Sequence, residues 1–400
     1  MQQDSKKQEQ QHASQQNNID VITNELPEIL SEYDQFMIET YQNQISGGTL
    51  KIMNNPELTD LQFVRFFDIK RLELEDCKNI IPKLESKLIK ELSIQNSNIQ
   101  SIKDFYLENL EFLRFNNHFE QRESKTLAKE ITTFKQLKEL HLIGCVIDIQ
   151  PLQQMTRLIK IQFGFCKIHN IQAIKHIENL EQLSLSGNEN IDQTFFQNMK
   201  KLNKLSLPYC QGYLSVLRPL VCLVDLNLEQ SERIKDISPL QFLTQLTKLS
   251  LKSCSVVNLD ALRSLIKLQV LIISNNQIVY LQPIMKLKRL NRLYAGYNKI
   301  TDGKQIEHHP NYNKYFDLRN QKQPTQKEFA IANMFRSINN PVVYLKEMHK
   351  LFSNLKDQNT IFRNKVTQQL QKSQDMFVLF SSQSASLFEN IYLQLDCFNQ

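Results

Sequence analysis

A short template recurs twelve times along this chain, and this recurrence limits the possible fold more than any other feature. The segment Leu268–Ile278, LQVLIISNNQI, fits L-x-x-L-x-L-x-x-N-x-I, and the same frame begins at eleven further positions. Those starts are Gly47, Ile69, Ile89, Leu110, Leu137, Leu158, Leu180, Leu202, Leu223, Leu246 and Leu290. Successive starts are 20 to 23 residues apart, except for one step of 27. A period of this length predicts a solenoid in which each unit packs on its neighbours.

Within each unit, alternating apolar residues predict a short strand followed by a tight turn. The L-x-L of the template turns two apolar side chains inward and the one between them outward, because strand side chains alternate between faces. Beyond the ninth position, apolar residues recur at a spacing of three, as in Leu281, Ile284 and Leu287, which favours a 3₁₀ turn. This pattern resembles the leucine-rich repeat. The resemblance implies an α/β horseshoe solenoid with a parallel sheet on its concave side and 3₁₀ or irregular segments on its convex side.

One half-unit supports a narrower resemblance. The segment Asp236–Leu246, DISPLQFLTQL, resembles the repeats of bacterial internalins and the 22-residue class typified by a regulatory subunit of protein phosphatase 1. The resemblance covers roughly residues 47–303 and implies the fold, but this class of repeat serves many different partners. The overall mix of Gln, Asn, Ile and Lys, with the closing Phe316–Gln321, is also similar to the repeat proteins of diplomonad protists.

Composition and periodicity divide the chain into five expected regions. These are a disordered glutamine-rich tail (1–18), a helical N-terminal cap (19–46), the repeat array (47–303), a degenerate last repeat and linker (304–324) and a helical C-terminal segment (325–400). An apolar helical stripe supports the N-terminal cap: Ile22, Leu26, Ile29, Leu30, Tyr33, Phe36, Met37 and Tyr41. The C-terminal helices are expected to cap the array, with self-association as a coiled coil as the alternative. The charged insertion 120–125 is expected to form a loop.

Charge and hydropathy argue against two classes of partner. The 48 basic and 42 acidic residues leave a net charge of +6 without a basic run, so no nucleic-acid partner is expected. No run of 18 apolar residues occurs, so neither a membrane span nor a membrane partner is expected. The N-terminal segment Met1–Gln10 lacks the apolar core of a secretory signal, which favours a cytoplasmic location.

The cysteines follow the repeat frame and do not form a metal-binding pattern. Five of the seven occupy the ninth position of their units: Cys77, Cys145, Cys166, Cys210 and Cys254. Other units place asparagine or serine there: Asn55, Ser97, Asn188, Ser231, Asn276 and Asn298. We expect this residue to point inward and to satisfy buried backbone groups, which are costly to leave unpaired. Free thiols in this role favour a reducing compartment.

Motifs for catalysis are missing from the sequence. None of G-x-x-x-x-G-K-[ST], G-x-G-x-x-G, H-E-x-x-H or G-x-S-x-G occurs. The single adjacent histidine pair, His308–His309, is expected to lie in an exposed loop and not to bind a metal. We therefore expect a chain that is not an enzyme and that holds no metal and no cofactor.

Two columns of residues define the surface that the array is expected to offer to a partner. The central column lies between the two inward residues of each strand: Lys51, Glu73, Ser93, Arg114, His141, Gln162, Ser184, Ser206, Asn227, Ser250, Ile272 and Tyr294. The rim column lies three residues further along: Asn54, Asp76, Asn96, Asn117, Gly144, Phe165, Gly187, Tyr209, Gln230, Ser253, Asn275 and Tyr297. The first four units of the central column are mostly charged, units six to ten are small and neutral, and Ile272 and Tyr294 close the far end.

The function predicted from these columns is a protein-interaction scaffold that binds a protein partner on its concave face. Large aromatic rings next to small polar groups are typical of protein-binding surfaces. The candidate partner-binding residues are Arg114, His141, Phe165, Tyr209, Tyr294 and Tyr297. Two alternatives remain open at this point: the regulatory subunit of a protein phosphatase and an internalin-like adhesin.

Overall fold

A computed structural model describes residues 30–55, 58–77, 80–97, 99, 101–116, 126–188, 191–210 and 213–324. These residues fall into two compact units that divide between Leu202 and Asn203, and the repeat frame continues in both. No helix among the described residues is long and apolar enough to cross a bilayer.

The first unit is built on parallel strands that begin at the same point of each repeat. In chain order the strands are β1 (Thr49–Met53), β2 (Arg71–Glu75), β3 (Leu84–Glu85), β4 (Glu91–Gln95), β5 (Phe105–Tyr106), β6 (Phe112–Asn116), β7 (Glu139–Ile143), β8 (Val146–Asp148), β9 (Lys160–Gly164), β10 (Lys167–His169) and β11 (Gln182–Ser184). The main sheet takes the order β1-β2-β4-β6-β7-β9-β11. Its register sets Leu50 opposite Leu72, and Leu72 opposite Leu92. Because this register is kept along the sheet, equivalent apolar positions lie side by side in one core.

The second unit repeats the arrangement with shorter strands. They are β12 (Lys204–Ser206), β13 (Asp225–Asn227), β14 (Lys248–Ser250), β15 (Val270–Ile272), β16 (Arg292–Tyr294) and β17 (Phe316–Asp317). They pair in parallel in chain order, with Leu205 opposite Leu226 and Leu226 opposite Leu249. These leucines are buried, and burying a leucine stabilises the fold by about 1.5–3 kcal/mol relative to exposure. The predicted parallel sheet with its leucine core is therefore confirmed in each unit.

On the other side of each rung, the chain forms mostly short 3₁₀ turns, as the spacing of three predicts. They span Gln62–Phe66, Gln150–Gln154, Ile171–His176, Thr194–Asn198, Leu214–Leu217, Ser238–Phe242, Asp260–Ser264, Gln282–Ile284 and Gly303–His308. Pro151, Pro239 and Pro283 lie in the first positions of their turns, where a backbone N–H is not needed as a donor.

A short helix packs against the start of the first unit. Helix α1 (Glu32–Tyr41) begins after Ser31, whose Oγ accepts a hydrogen bond from the backbone N–H of Asp34 at 3.0 Å. The Tyr41 ring stacks on Phe63 with centroids 5.7 Å apart. The predicted apolar stripe is wrong for Phe36, which is exposed, since it lies about 100° around the helix from the buried Met37.

The first unit contains further elements on the side of its rungs that carries the 3₁₀ turns. Strands β3 and β5 pair with each other, as do β8 and β10, in small parallel sheets beside the main one. Aromatic and β-branched residues such as Phe105, Tyr106 and Val146 favour this extended backbone. Helix α2 (Leu127–Ile131) takes the place of a 3₁₀ turn in the rung that follows the insertion.

Ninth-position side chains point inward and bind backbone groups, as predicted. Asn188 accepts a hydrogen bond from the Cys166 backbone N–H at 2.6 Å, and its Nδ2 donates to the Phe163 carbonyl at 2.8 Å. Cys166 is itself a ninth-position residue, and its thiol donates to the Leu142 carbonyl at 3.4 Å. The side chain thus satisfies groups that the turn would otherwise leave buried and unpaired.

The end of the second unit corrects the expectation for the histidine pair. His308 is exposed, but His309 is buried: its Nε2 donates to the Leu287 carbonyl at 3.2 Å, and its Nδ1 accepts from the Asn311 N–H at 3.2 Å. Burial lowers the pKa of His309, so the ring stays neutral and suits this pairing. His309 therefore packs against the last repeat and does not lie in an exposed loop.

Several predictions concern residues outside the described ranges. They are the tail 1–18, the first part of the N-terminal cap, the insertion 120–125 and the C-terminal segment 325–400.

Candidate functional site

The central column of the first unit forms a continuous line across the main sheet. The register sets Lys51 opposite Glu73, Glu73 opposite Ser93, and Ser93 opposite Arg114. Arg114 in turn lies opposite His141. Since strand neighbours in a sheet are about 4.8 Å apart, adjacent members of this column are within reach of one another.

Ion pairs between neighbouring rungs neutralise much of the charge beside this column. Lys51 Nζ lies 2.9 Å from Glu75 Oε2, and Lys138 Nζ lies 2.6 Å from Glu111 Oε2. The contact with Lys138 lowers the pKa of Glu111. These pairs are largely solvated, so each contributes little to stability. Because these charges already pair with each other, they are less available to charged groups of a partner.

Arg114 and His141 form a different environment on strands β6 and β7. His141 is only 4% exposed, and its ring packs edge-on against Phe112 with centroids 4.9 Å apart. Burial is the main cause that lowers the pKa of His141 to about 4, and the positive charges of Lys160 and Arg114 act in the same direction. The ring is therefore neutral at physiological pH.

Every described residue of the rim column has a positive φ. The values run from 49° at Asn54 to 71° at Gly144 and Gly187. The backbone N–H of the rim residue donates to the next rung, as Phe165 does to the Ser186 carbonyl at 2.9 Å. The turn that sends the ninth residue into the core thus requires the left-handed conformation at the residue before it.

Phe165 is the rim residue with the largest exposed ring in the first unit. It is 67% exposed, and it lies over Gly187 of the next rung. A Cβ added to Gly187 would lie 2.5 Å from Cδ1 of Phe165, which no real contact allows. Gly187 therefore serves two purposes, since it adopts the positive φ and leaves room for the ring.

In the second unit, the rim residues Tyr209 and Tyr297 are 50% and 57% exposed. Their backbone N–H groups donate to the Glu229 carbonyl at 3.1 Å and to the Arg319 carbonyl at 3.0 Å. Both tyrosines therefore hold their left-handed backbone while presenting their rings to solvent.

The aromatic end of the central column also lies in the second unit. Ile272 lies opposite Tyr294, and Tyr294 lies opposite Asp317. Tyr294 and Ile272 are both half-buried, so this end of the column is less accessible than the rim residue Tyr297.

The structure thus divides the six candidate residues into two groups. Phe165, Tyr209 and Tyr297 are exposed rim residues, whereas Arg114, His141 and Tyr294 lie in the more buried central column. Sequence reasoning missed the positive φ of the rim column. The recurrence of Gly and Asn there, as at Gly144, Gly187 and Asn275, was the signal that could have shown it.

Among the residues that the structure describes, the thiols and acidic groups do not gather into a metal-binding cluster. Within the described ranges, no three His, Cys, Asp or Glu side chains converge where they could hold a metal ion. Burial raises the pKa of the Cys254 thiol to about 12 and that of the Cys77 thiol in the same direction. Because the thiolate is the nucleophilic form, these two cysteines are weak nucleophiles at neutral pH.

Comparison with known proteins gives likeness at the level of the fold. No family model matches the sequence, and no curated protein matches it. An internalin of Listeria monocytogenes is similar with a TM-score of 0.55 and 18% identity, over 73% of this chain and 84% of its own. An internalin C2 of the same species has a TM-score of 0.42 and 25% identity, over 46% of this chain and 80% of its own. A leucine-rich-repeat protein of Leptospira interrogans has a TM-score of 0.43 and 17% identity, over 80% of this chain and 89% of its own.

At such low identity, the likeness to the first internalin concerns the fold alone. It agrees with the repeat frame and with the parallel rungs of each unit. The chain therefore has the leucine-rich-repeat fold.

Proposed function

We propose that this chain is a non-catalytic scaffold that binds a protein partner through the central and rim columns. The observation that carries the proposal is the presence of large exposed aromatic rings at rim positions whose backbone conformation disfavours them. Phe165 has a φ of 51°, Tyr209 of 63° and Tyr297 of 59°.

The left-handed conformation penalises these aromatic residues. It costs an L-residue roughly 1–2 kcal/mol, with glycine and to a lesser degree asparagine as exceptions. Other rungs carry those residues at the same position, as at Asn54, Asn96 and Gly144. The repeat can thus be built with a better-suited residue, so the needs of the turn do not explain an aromatic side chain.

Core packing does not explain these rings either. Each is at least half exposed, so burial returns only part of what a core aromatic would contribute. Exposed rings held on a rigid backbone are the usual energetic centres of protein–protein contacts, because they bring large area at small entropic cost. A strained residue without a folding reason is a hint of function.

The central column contributes polar groups to both units. In the first unit, Arg114 and His141 accompany Phe165, and in the second unit Tyr294 accompanies Tyr209 and Tyr297. We place this activity in a reducing compartment, the cytoplasm. The free thiols Cys77, Cys166 and Cys254, which donate hydrogen bonds to carbonyls, support that location.

The test begins with affinity capture on the full chain and continues with the purified partner. Binding of that partner is measured by calorimetry for Phe165→Ala, Tyr209→Ala, Tyr294→Ala and Tyr297→Ala. Loss of a central aromatic contact weakens binding by about 2 kcal/mol or more, roughly thirtyfold. We expect at least one rim variant to show a loss of this size.

Two exposed aromatic residues away from the columns serve as controls. Tyr106 lies on β5, outside the main sheet, and Phe242 lies in a 3₁₀ turn beneath the Arg218 guanidinium. Tyr106→Ala and Phe242→Ala are expected to bind the partner as the unmodified chain does. A partner held with full affinity by all four column variants, each with an unchanged urea midpoint, would show that the columns are not the binding surface.

A further inference from the structure

On the first unit, buried polar atoms without hydrogen-bond partners lie together on strands β6 and β7. They are Nε of Arg114, Oδ1 of Asn116, and Nδ1 and Nε2 of His141. Arg114 lies directly opposite His141, and Asn116 follows two residues later on the same face of β6. A buried polar atom left unpaired is costly, and native proteins keep few of them. Such a cluster points to an external group that completes these hydrogen bonds.

The charge around the cluster indicates the sign of that group. Lys160 is held by Glu139, with Nζ 3.1 Å from Oε2, whereas Arg114 forms no ion pair with any residue that the structure describes. Glu139 Oε2 lies 3.7 Å from His141 Nε2, too far for a hydrogen bond. The two positive charges of Arg114 and Lys160 and the one negative charge of Glu139 leave a net positive charge of one. A ligand with a single negative charge would balance it.

The walls of the cluster are partly apolar. The ring of Phe112 lies 5.9 Å from the Arg114 guanidinium carbon and packs on His141. Ile143 follows His141 on the same face of β7, and both Phe112 and Ile143 are half-buried. A ligand that brings methylene groups together with its charge would contact these two apolar side chains.

We propose that Arg114 and His141 recognise the carboxylate of an aspartate or glutamate side chain of the protein partner, an inference that rests on the proposed function. The guanidinium donates two parallel hydrogen bonds to the two carboxylate oxygens, a geometry that lysine cannot copy. The neutral His141 ring donates a further one from its N–H. Phosphate suits the site less well, because its second charge would face Glu139 and the acceptor Oδ1 of Asn116.

Binding also changes the protonation of His141. A carboxylate beside the ring favours the charged imidazolium, so it raises the pKa of His141 from its low value in the free chain. This gives a signal that reports on the site itself, independently of overall affinity.

The experiment titrates the full chain, labelled with ¹³C-histidine, with an acetylated hexaglutamate peptide. The imidazole C–H signals are followed by NMR, and those of His141 are assigned by their loss in His141→Gln. We expect saturable shifts of the His141 signals, and at least about a tenfold weaker affinity for Arg114→Gln, since charge-assisted bonds are lost. The affinity of Arg114→Lys is expected to lie between those of the unmodified chain and Arg114→Gln, because lysine keeps the charge but cannot donate two parallel hydrogen bonds.

Matched probes and variants make the result decisive. Arg71→Gln removes a cation of the same sheet whose Nε already donates to Glu91 at 2.6 Å, and it should bind hexaglutamate unchanged. Hexaglutamine or inorganic phosphate shifting the His141 signals as strongly as hexaglutamate would overturn the carboxylate assignment, as would full affinity in a folded Arg114→Gln. If the captured partner needs Phe165 but not Arg114, this inference fails while the proposed function stands.

Discussion

Replacing Asn276 by alanine tests the physical role of the ninth position most directly. The Asn276 Oδ1 accepts a hydrogen bond from the Val256 N–H at 2.9 Å, and its Nδ2 donates to the Leu251 carbonyl at 2.7 Å. It also donates to the carbonyls of Ile273 at 3.0 Å and Ser274 at 3.3 Å. The Ile273 carbonyl keeps a second donor in Asn298.

The expected loss follows from the groups that no other hydrogen bond satisfies. Alanine leaves the Val256 N–H and the Leu251 carbonyl without their side-chain partner. At about 1–3 kcal/mol for each buried unpaired group, the free energy of unfolding should fall by roughly 2–6 kcal/mol. Asn276→Cys is expected to lose less, because Cys254 at the same position donates its thiol to the Leu228 carbonyl at 3.2 Å.

Urea unfolding of the full chain, followed by circular dichroism, measures this loss from the midpoint at an unchanged m-value. Gln269→Ala is the control, since Gln269 is an exposed residue of the same repeat and should shift the free energy of unfolding by less than about 0.5 kcal/mol. If Asn276→Ala and Gln269→Ala unfold at the same urea concentration, the ninth side chain does not stabilise the turn and the reasoning is wrong.

Three further predictions concern other sites. Gly187→Ala should displace the Phe165 ring, and its positive φ should lower the free energy of unfolding by about 1–2 kcal/mol, as measured by urea unfolding. It should also weaken partner binding as Phe165→Ala does, as measured by calorimetry. An unchanged affinity would contradict the role of the ring. Because the pKa of folded His141 is about 4 against an ordinary 6.5, the unfolded chain binds more protons in between. The free energy of unfolding should thus fall by up to about 3 kcal/mol as the pH falls from 6.5 to 4. In His141→Gln, the urea midpoint should lose this part of its dependence on pH. Iodoacetamide at pH 8 should modify the exposed Cys222 well before the buried Cys254, and peptide mass spectrometry showing equal rates would refute the burial argument.

The repeat frame predicted the fold well because it records burial directly. Leucines that recur at the same two positions of each strand had to face one core, and they do so at Leu205, Leu226 and Leu249. The role of the ninth position was predicted equally well, since a small polar residue or cysteine at a buried turn is expected to hydrogen-bond backbone groups there. The predictions that Phe36 lies in the buried stripe and that His309 lies in an exposed loop were wrong. A period alone does not tell which edge of a helix or which end of an array is covered.

The candidate site was only partly visible in the sequence. The template locates the central and rim columns, but it does not tell which of their side chains are exposed. The structure separates the exposed ring of Phe165 from the buried ring of His141, although both belong to the same surface. That difference depends on which neighbours lie above each residue, and neighbours on adjacent strands are far apart in the chain, as Arg114 and His141 are at 27 residues.

The sequence by itself determined the leucine-rich-repeat architecture, the inward and outward positions of each strand, and the role of the ninth residue, because these are properties of one unit repeated. Tertiary structure alone decided which polar atoms stay unpaired at Arg114 and His141, and which aromatic rings stand on a strained backbone. Those features arise where side chains of different rungs meet. Hydrogen bonding, solvent exposure and pKa at these residues are set by packing between neighbouring repeats, which no periodicity along the chain encodes.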